Sequence, residues 1–404
     1  MRKTLYICYF GLRQPLVQTQ VLPYLQELIK DGIEVHLVTF EPALRSEWTK
    51  EQIEEQGKEL ATKGIQWQCL AYHKRPSAIA TAWDIFAGAC FVRKKIGQVK
   101  LDVVHGRSHV ATLMGAIARK LSRRKPGLIF DIRGFFPEEY TDAGVWPENG
   151  LLYRTAKRVE RWLMRDADGF VILTEKARQM VLNEERRPVE VIPCCVDFAK
   201  RFPAEIAMRR DETRLRLGID GRTVYVHVGA LGGLYLTREL TDLLAAARDL
   251  DRRALAMFLT QSDPSELMGL LRDRGFTNKD MIVRRVDPQE VPEYLSAADI
   301  SLSFVKATYA TQSRSPTKIP EYLAAGRPII ANSGVGDVDE LIESENVGVL
   351  INRFDRDAYV EAMGRIRRLG DVSERCRKVA ESRFDLEIVG GARYRRLYEK
   401  LLQS

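Results

Sequence analysis

No two of the six cysteines in this chain, Cys8, Cys69, Cys90, Cys194, Cys195 and Cys376, have the spacing of a zinc or redox site. They read as reduced thiols of a cytosolic protein, which excludes a disulfide scaffold and a cysteine-held metal. No apolar run is long enough to cross a bilayer. The opening "MRKTLYICYFGL" has the basic-then-apolar order of a secretion signal, but Gly11, Arg13 and Gln14 interrupt it and no small-residue cleavage pattern follows, so it reads as a first buried strand. Low-complexity segments and repeats shorter than a domain are lacking as well. Neither sign of charge dominates: a formal net charge of +8 spread over 404 residues tilts the surface toward phosphates or anionic lipid heads, and no nucleic-acid partner is expected.

What the chain has in quantity is apolar sequence, 45% of it, enough at this length for two or three domains with separate cores. Short β-rich runs recur, each followed by a longer amphipathic stretch. In the first half they fall at residues 4–10, 34–40, 65–70, 102–105, 127–132, 169–173 and 189–193. They are apolar almost throughout instead of alternating, the pattern of strands buried on both faces of a parallel sheet and covered by helices. A charged passage at 205–222, "EIAMRRDETRLRLGIDGR", weakens the periodicity, and the domain joint is placed there. The alternation resumes at 223–229, 255–260, 281–286, 299–304, 328–331 and 347–351. The expectation is two doubly wound α/β domains. Such sheets bind ligands at the carboxyl ends of their strands, so two of them facing each other would enclose a cleft.

The stretch "SPTKIPEYLAAGRPII" (315–330) sets a lysine and a glutamate at the start of a short apolar helix. Thr317 is the expected N-cap, because capping by Ser315 would leave Pro320 in the helix interior; Gly326 and Pro328 end the helix. Free amides and the dipole end attract an anion there, and Lys318 adds a full charge. Glu321 is unsuited to phosphate but suited to vicinal hydroxyls such as those of a ribose. Lysine for phosphate and glutamate for ribose describe a nucleotide diphosphate. The plainer alternative is that Lys318 and Glu321, three apart, are a surface pair supporting the helix by about 0.2–0.5 kcal/mol.

At these residues the sequence resembles the bacterial family 4 (group 1) glycosyltransferases, with two Rossmann-like domains in the GT-B arrangement. "EYLAAGRPIIANSGVGDVDELI" is similar to the family's donor-site segment; "VILTEKARQMV" and "VIPCCVDFAKRF" are similar to its end-of-first-domain segments. "GLRQPLVQTQVLPYLQEL" and "FDIRGFFPEEYTDAGVW" resemble a narrower bacterial subgroup, and the pieces occur in the family's order over nearly the whole chain. Glu321 matches the second glutamate of the family's paired-glutamate motif. The first would fall at Ser313, a departure for which amides of "SPTK", at Ser315 and Thr317, and Lys318 are candidate replacements. After the strand "TVYVHVG" the family commonly has Gly-Arg and a later lysine; here Ala230 stands at the arginine position. Gly232 and Gly233 are left either to bring amides to phosphate or to make a tight turn, and the loop lacks the dinucleotide G-x-G-x-x-G fingerprint.

In the first half, "DVVHGRSHVATLMG" matches the segment in which many members carry an active-site histidine. Arg107 occupies that position and His109 follows two residues later; Arg107 is a candidate cation for phosphate or an acceptor anion, and His109 either handles a proton or packs at the start of the next helix. Arg133, at the end of the next strand, is the third candidate. Asp-x-Asp occurs at Asp166/Asp168, Asp337/Asp339 and Asp355/Asp357, frequent enough for chance, with helix capping the better reading; no metal is expected. The helix at 151–165 mixes apolar residues with five Arg or Lys and is a candidate for an anionic membrane surface, against the plainer reading that its apolar face packs inward.

The resemblance thus implies a retaining, metal-independent glycosyltransferase without a cofactor. It would move a sugar from a nucleotide-diphosphate sugar to a saccharide or lipid-linked acceptor in surface glycan assembly, in the cytoplasm or at the inner face of the membrane. The domains expected are an acceptor-binding domain at 1–198, a nucleotide-sugar domain at 199–383, and a C-terminal helix at 384–404 packing back on the first domain. A sugar-nucleotide epimerase of the same architecture and a non-catalytic sugar-nucleotide-binding partner are the alternatives.

Overall fold

Every β-rich run named above becomes a strand in the computed structural model, which describes residues 2–73 and 77–403. The chain divides into two units: residues up to Pro193 together with those from Glu387 onward, and Cys194–Leu386.

The first unit carries a seven-stranded parallel sheet of β1 (Lys3–Cys8), β2 (Glu34–Pro42), β3 (Ile65–Tyr72), β4 (Val103–Arg107), β5 (Gly127–Ile132), β6 (Gly169–Ile172) and β7 (Val189–Val191), in the order β3-β2-β1-β4-β5-β6-β7. The chain winds outward from β1 and then returns to its other side with β4, so the topological switch point lies between those two strands, where Cys8 pairs with Arg107. β1 is buried on both faces. The C-terminal helix Ala392–Gln403 belongs to this unit; its Tyr398 hydroxyl meets Thr4 Oγ1 at 3.0 Å and Tyr394 donates to Asp131 at 3.3 Å.

The second unit carries six parallel strands, β8 (Thr223–Val228), β9 (Ala254–Leu259), β10 (Met281–Arg284), β11 (Ile300–Ser303), β12 (Ile329–Asn332) and β13 (Gly348–Ile351), in the order β10-β9-β8-β11-β12-β13. Its switch point lies between β8 and β11. Alternate residues of β8 feed two separate cores, Val224 and Val226 into one and Tyr225 into the other, the physical content of an apolar run with helices on both faces.

The charged passage 205–222 is not a joint. It forms the helices Ala204–Met208 and Arg210–Leu217 inside the second unit. Arg214 is buried, donating to the carbonyls of Ala297, Ile219 and Arg222 and pairing with Asp299. The passage's charges obscure helical periodicity because Arg210 and Arg214 turn inward to backbone oxygens while Glu205, Arg209, Asp211, Glu212 and Arg216 are exposed.

Candidate functional site

Lys318 lies at the carboxyl end of the second sheet, at the switch point. It opens the helix Lys318–Ala324, is 5% exposed, and reaches back toward β8, where its Nζ lies 3.4 Å from His227 Nε2 and 4.6 Å from the centre of the Tyr235 ring. Among the described residues no carboxylate forms a salt bridge with it. Burial therefore dominates and pulls its pKa from 10.5 down to about 7, against a partial upward pull from Glu321. His227 is fully buried, with Nδ1 3.3 Å from the Leu302 carbonyl on β11, and burial followed by the neighbouring lysine holds it well below its ordinary pKa. It faces Lys318 as a neutral imidazole. Gly229, at φ 120°, ends β8 beneath this group; a Cβ there would sit 3.4 Å from Lys318 Nζ, so the backbone turns away where only glycine adopts the conformation readily.

Glu321 does not pair with Lys318. Its Oε1 takes the Arg201 guanidinium, which also donates to the Pro288 carbonyl at 2.8 Å. Thr317 is exposed, has helical dihedrals and makes no side-chain cap bond. Thr317 thus occupies the expected N-cap position without the expected cap bond: Ile319 bonds back to the Pro316 carbonyl at 3.0 Å, a turn that leaves the threonine hydroxyl unused. Ser315 Oγ accepts the Cys194 amide at 3.0 Å and so fastens the entry of the chain into this unit. Ser313, at the position of the family's first glutamate, is fully buried with its hydroxyl on the Ala310 carbonyl.

Gly232 and Gly233 both have positive φ, 70° and 61°. The Gly232 amide already donates to Thr237 Oγ1 at 3.0 Å, so this glycine makes the tight turn of the plainer reading and its N–H is not presented to a ligand.

In the first unit, Arg107, His109 and Arg133 lie at the carboxyl ends of β4 and β5 and are mostly buried. Arg107 Nη1 donates to the Tyr6 hydroxyl at 3.4 Å and the Gln20 carbonyl at 3.5 Å, and lies 3.9 Å from Asp131; Arg133 Nε lies 3.5 Å from the same carboxylate. Asp131 is the hub. Burial alone would raise its pKa, but Arg133, His105 and Arg107 outweigh it and hold the carboxyl at about 2. His109 Nε2 meets Glu160 at 3.0 Å, and its ring packs against Phe130 and Phe136.

The chain between Arg107 and His109 is unusual: Ser108 has φ 67°, a left-handed conformation that favours glycine, at the junction of strand and helix. Gly106 makes the junction feasible, since a Cβ there would come 2.3 Å from Thr112 Cα.

Sequence reading missed His227, Tyr235, Arg201, Asp131 and Glu160. Two had a usable signal: His227 and Asp131 are ionisable residues near the carboxyl ends of otherwise apolar strands, "TVYVHV" and "GLIFDI". Of the Asp-x-Asp pairs, Asp168 pairs with Arg119, Asp339 accepts the Gly334 amide and Asp355 caps the helix Arg356–Arg368 through the Ala358 amide. Among the described residues no group of three or more His, Cys, Asp or Glu side chains is placed to hold a metal ion.

Solved structures share this fold. Sucrose-phosphate synthase of Thermosynechococcus elongatus matches with a TM-score of 0.72 at 15% identity, over 100% of both chains. Alr3699/HepE of Anabaena, in complex with UDP and glucose, matches with a TM-score of 0.69 at 15% identity, over 98% of this chain and 100% of its own. The fold class is GT-B, with two Rossmann-like α/β units. The sequence matches two family models, Glycosyltransferase Family 4 over residues 17–200 and Glycosyl transferases group 1 over residues 224–368. Alpha-D-kanosaminyltransferase of Streptomyces kanamyceticus is 26% identical over 217 residues, 52% of this chain and 54% of the relative, so the match spans about half the relative's length. The chain belongs to the bacterial family 4 glycosyltransferases.

Proposed function

We propose that this protein transfers a sugar from a nucleotide-diphosphate sugar to a hydroxyl of a saccharide or lipid-linked acceptor. Transfer retains anomeric configuration, needs neither metal nor further cofactor, and serves bacterial surface glycan assembly. Lys318 carries the reading: a lysine buried at a switch point without a carboxylate partner is costly unless an anion arrives. A diphosphate beside Nζ would supply the missing charge, draw a proton onto the lysine, and be stabilised most as negative charge grows on the departing group. Glu321, steadied by Arg201, accepts hydrogen bonds from the ribose hydroxyls. Support for metal independence comes from this built-in cation and from the prior engagement of Asp168, Asp339 and Asp355. Retention and the surface-glycan setting rest on family likeness. In the first unit, Arg107, His109 and Arg133 are the candidates for handling the acceptor and the departing charge.

Alr3699/HepE was solved with UDP and with UDP-glucose, so uridine diphosphate sugars are the first donors to test. Purified protein incubated with labelled donors and a panel of oligosaccharide and lipid acceptors, with and without EDTA, should form product at the same rate in both, with the anomeric configuration unchanged by NMR. Donor epimerised in the absence of acceptor would replace this reading with an epimerase. Binding without turnover across a broad panel would replace it with a non-catalytic partner protein.

A further inference from the structure

The first half of the helix Ser77–Val99 is built the wrong way round for a helix that only serves the core. The helix's inward face carries small residues over most of its length, Ala80, Gly88 and Ala89, with Val92 and Ile96 buried toward its end, and packs so closely that a Cβ on Gly88 would lie 2.5 Å from Met114 Sδ. In its first half the large apolar residues point out: Ile79 is 71% exposed, Trp83 57% and Phe86 61%, with the two aromatic rings in contact at 5.9 Å. At 79, 83, 86 and 90 the spacing is that of a single stripe, which continues through Arg93 and Lys94. The one acidic residue of the helix, Asp84, is turned inward and bonded to Tyr9 at 2.7 Å and to the His73 amide at 3.0 Å. The stripe is therefore apolar and aromatic over its first half, basic over its second, and free of negative charge throughout.

We propose that this stripe docks on an anionic bilayer surface, with Ile79, Trp83 and Phe86 entering the headgroup boundary and Arg93 and Lys94 meeting lipid phosphates. Tryptophan beside phenylalanine is the side-chain pairing suited to that boundary, and the open depression lined by Cys90, Arg93, Lys94, Gly97 and Gln98 gives a headgroup a place beside the cations. A second copy of the chain fits less well, because it would bring the same arginine and lysine with no acid on the stripe to meet them. The sequence-based membrane candidate, the helix Leu151–Asp166, fits less well again. Only Leu151 and Leu152 of its large apolar residues are exposed; Leu163 is buried, and Glu160 and Lys157 are tied to each other and to His109 and Glu138. The inference is independent of the donor site.

The test is flotation of the full chain with phosphatidylcholine vesicles, with and without phosphatidylglycerol. The chain should float with the anionic vesicles only and be released by salt. Trp83→Ser/Phe86→Ser and Arg93→Glu/Lys94→Glu should each lower the bound fraction by about tenfold or more with an unchanged melting temperature. Brominated lipid should quench fluorescence of the unaltered protein, and Trp83→Phe should remove that quenching, a readout that does not depend on the double variants. Equal binding to neutral vesicles, unchanged flotation of the variants, or quenching that survives Trp83→Phe would overturn the proposal. So would a dimer of the unaltered chain that Trp83→Ser/Phe86→Ser converts to monomer, which would assign the stripe to a second copy.

Discussion

Replacing Lys318 by methionine separates the two things a buried cation does. A lysine held at about 7 instead of 10.5 costs the fold about 4 kcal/mol at neutral pH relative to a neutral side chain in the same place, because the unfolded chain binds the proton freely and the folded chain holds it only at a cost. Methionine has nearly the same length and no charge; after repacking against His227 and Tyr235 we expect a net gain of about 2 kcal/mol. That is a rise of roughly 4–8 °C in the melting temperature of the unit that holds it. The gain has a defined pH course. The cost is fully present below about 7 and fades as pH rises toward 10.5, so the melting temperatures of the two proteins should converge in alkali. UDP should reverse the ranking. At a hundredfold excess over its dissociation constant it stabilises the unaltered protein by about 2.7 kcal/mol and the variant hardly at all. Near pH 8, where the lysine is mostly neutral, calorimetry in buffers of different ionisation enthalpy should record proton uptake on binding. A variant that melts no higher at neutral pH, or that keeps the UDP-dependent shift, refutes the reasoning.

Glu321→Gln should weaken UDP about tenfold and leave inorganic pyrophosphate binding unchanged in titration calorimetry, because the ribose loses a charged acceptor while the phosphate site is intact. Asp131→Asn should destabilise the first unit by about 3 kcal/mol in urea denaturation, since Arg107 and Arg133 lose a shared buried counter-ion. The unaltered Asp131 carboxyl, held at about 2, contributes stability that is full above the ordinary carboxylate range and lost as pH falls toward that value. Gly106→Ala should cost about 1–3 kcal/mol or more in the same assay, as its Cβ meets backbone and not a movable side chain.

Most strands were legible because both-face burial writes itself as a short, nearly uninterrupted apolar run; β3, with Gln66 and Gln68 exposed, and the apolar stretch 85–92, which is helix, depart from that rule. Their order in the sheets is not carried by any one run; it follows from the helices between them and the handedness of the connections. Lys318 and Glu321 were legible as a pair beside prolines and a glycine, but their partners were not. Arg201 lies 120 positions from Glu321 and His227 lies 91 positions from Lys318, so only the folded sheet brings them together. The cap position was legible but its bond was not: Thr317 stands at the N-cap, yet between Pro316 and Pro320 the chain makes a tight turn that leaves its exposed hydroxyl without a cap bond. The exposed stripe on Ser77–Val99 escaped notice because period alone gives two faces without saying which is buried. Here the small residues won the interior by allowing close approach to Met114.

Three other cations of the second unit, Arg214 and Arg327 buried and Arg210 partly so, sharpen the case for Lys318. Arg210 donates to the carbonyls of Ser296 and Ala298 and pairs with Asp299; Arg214 takes the Ala297 carbonyl and the same carboxylate; Arg327 donates to Ala325 and Ala298. All three converge on the segment that enters β11, the amino end of that strand, where open α/β sheets do not bind ligands. There the fold supplies each guanidinium with oxygen. At the carboxyl end of β8 it gives Lys318 an imidazole nitrogen and a ring face instead, and accepts a depressed pKa in consequence. A unit able to satisfy three arginines from its own backbone leaves one lysine short of an anion, at the one edge where this architecture receives a substrate, because that anion comes from outside.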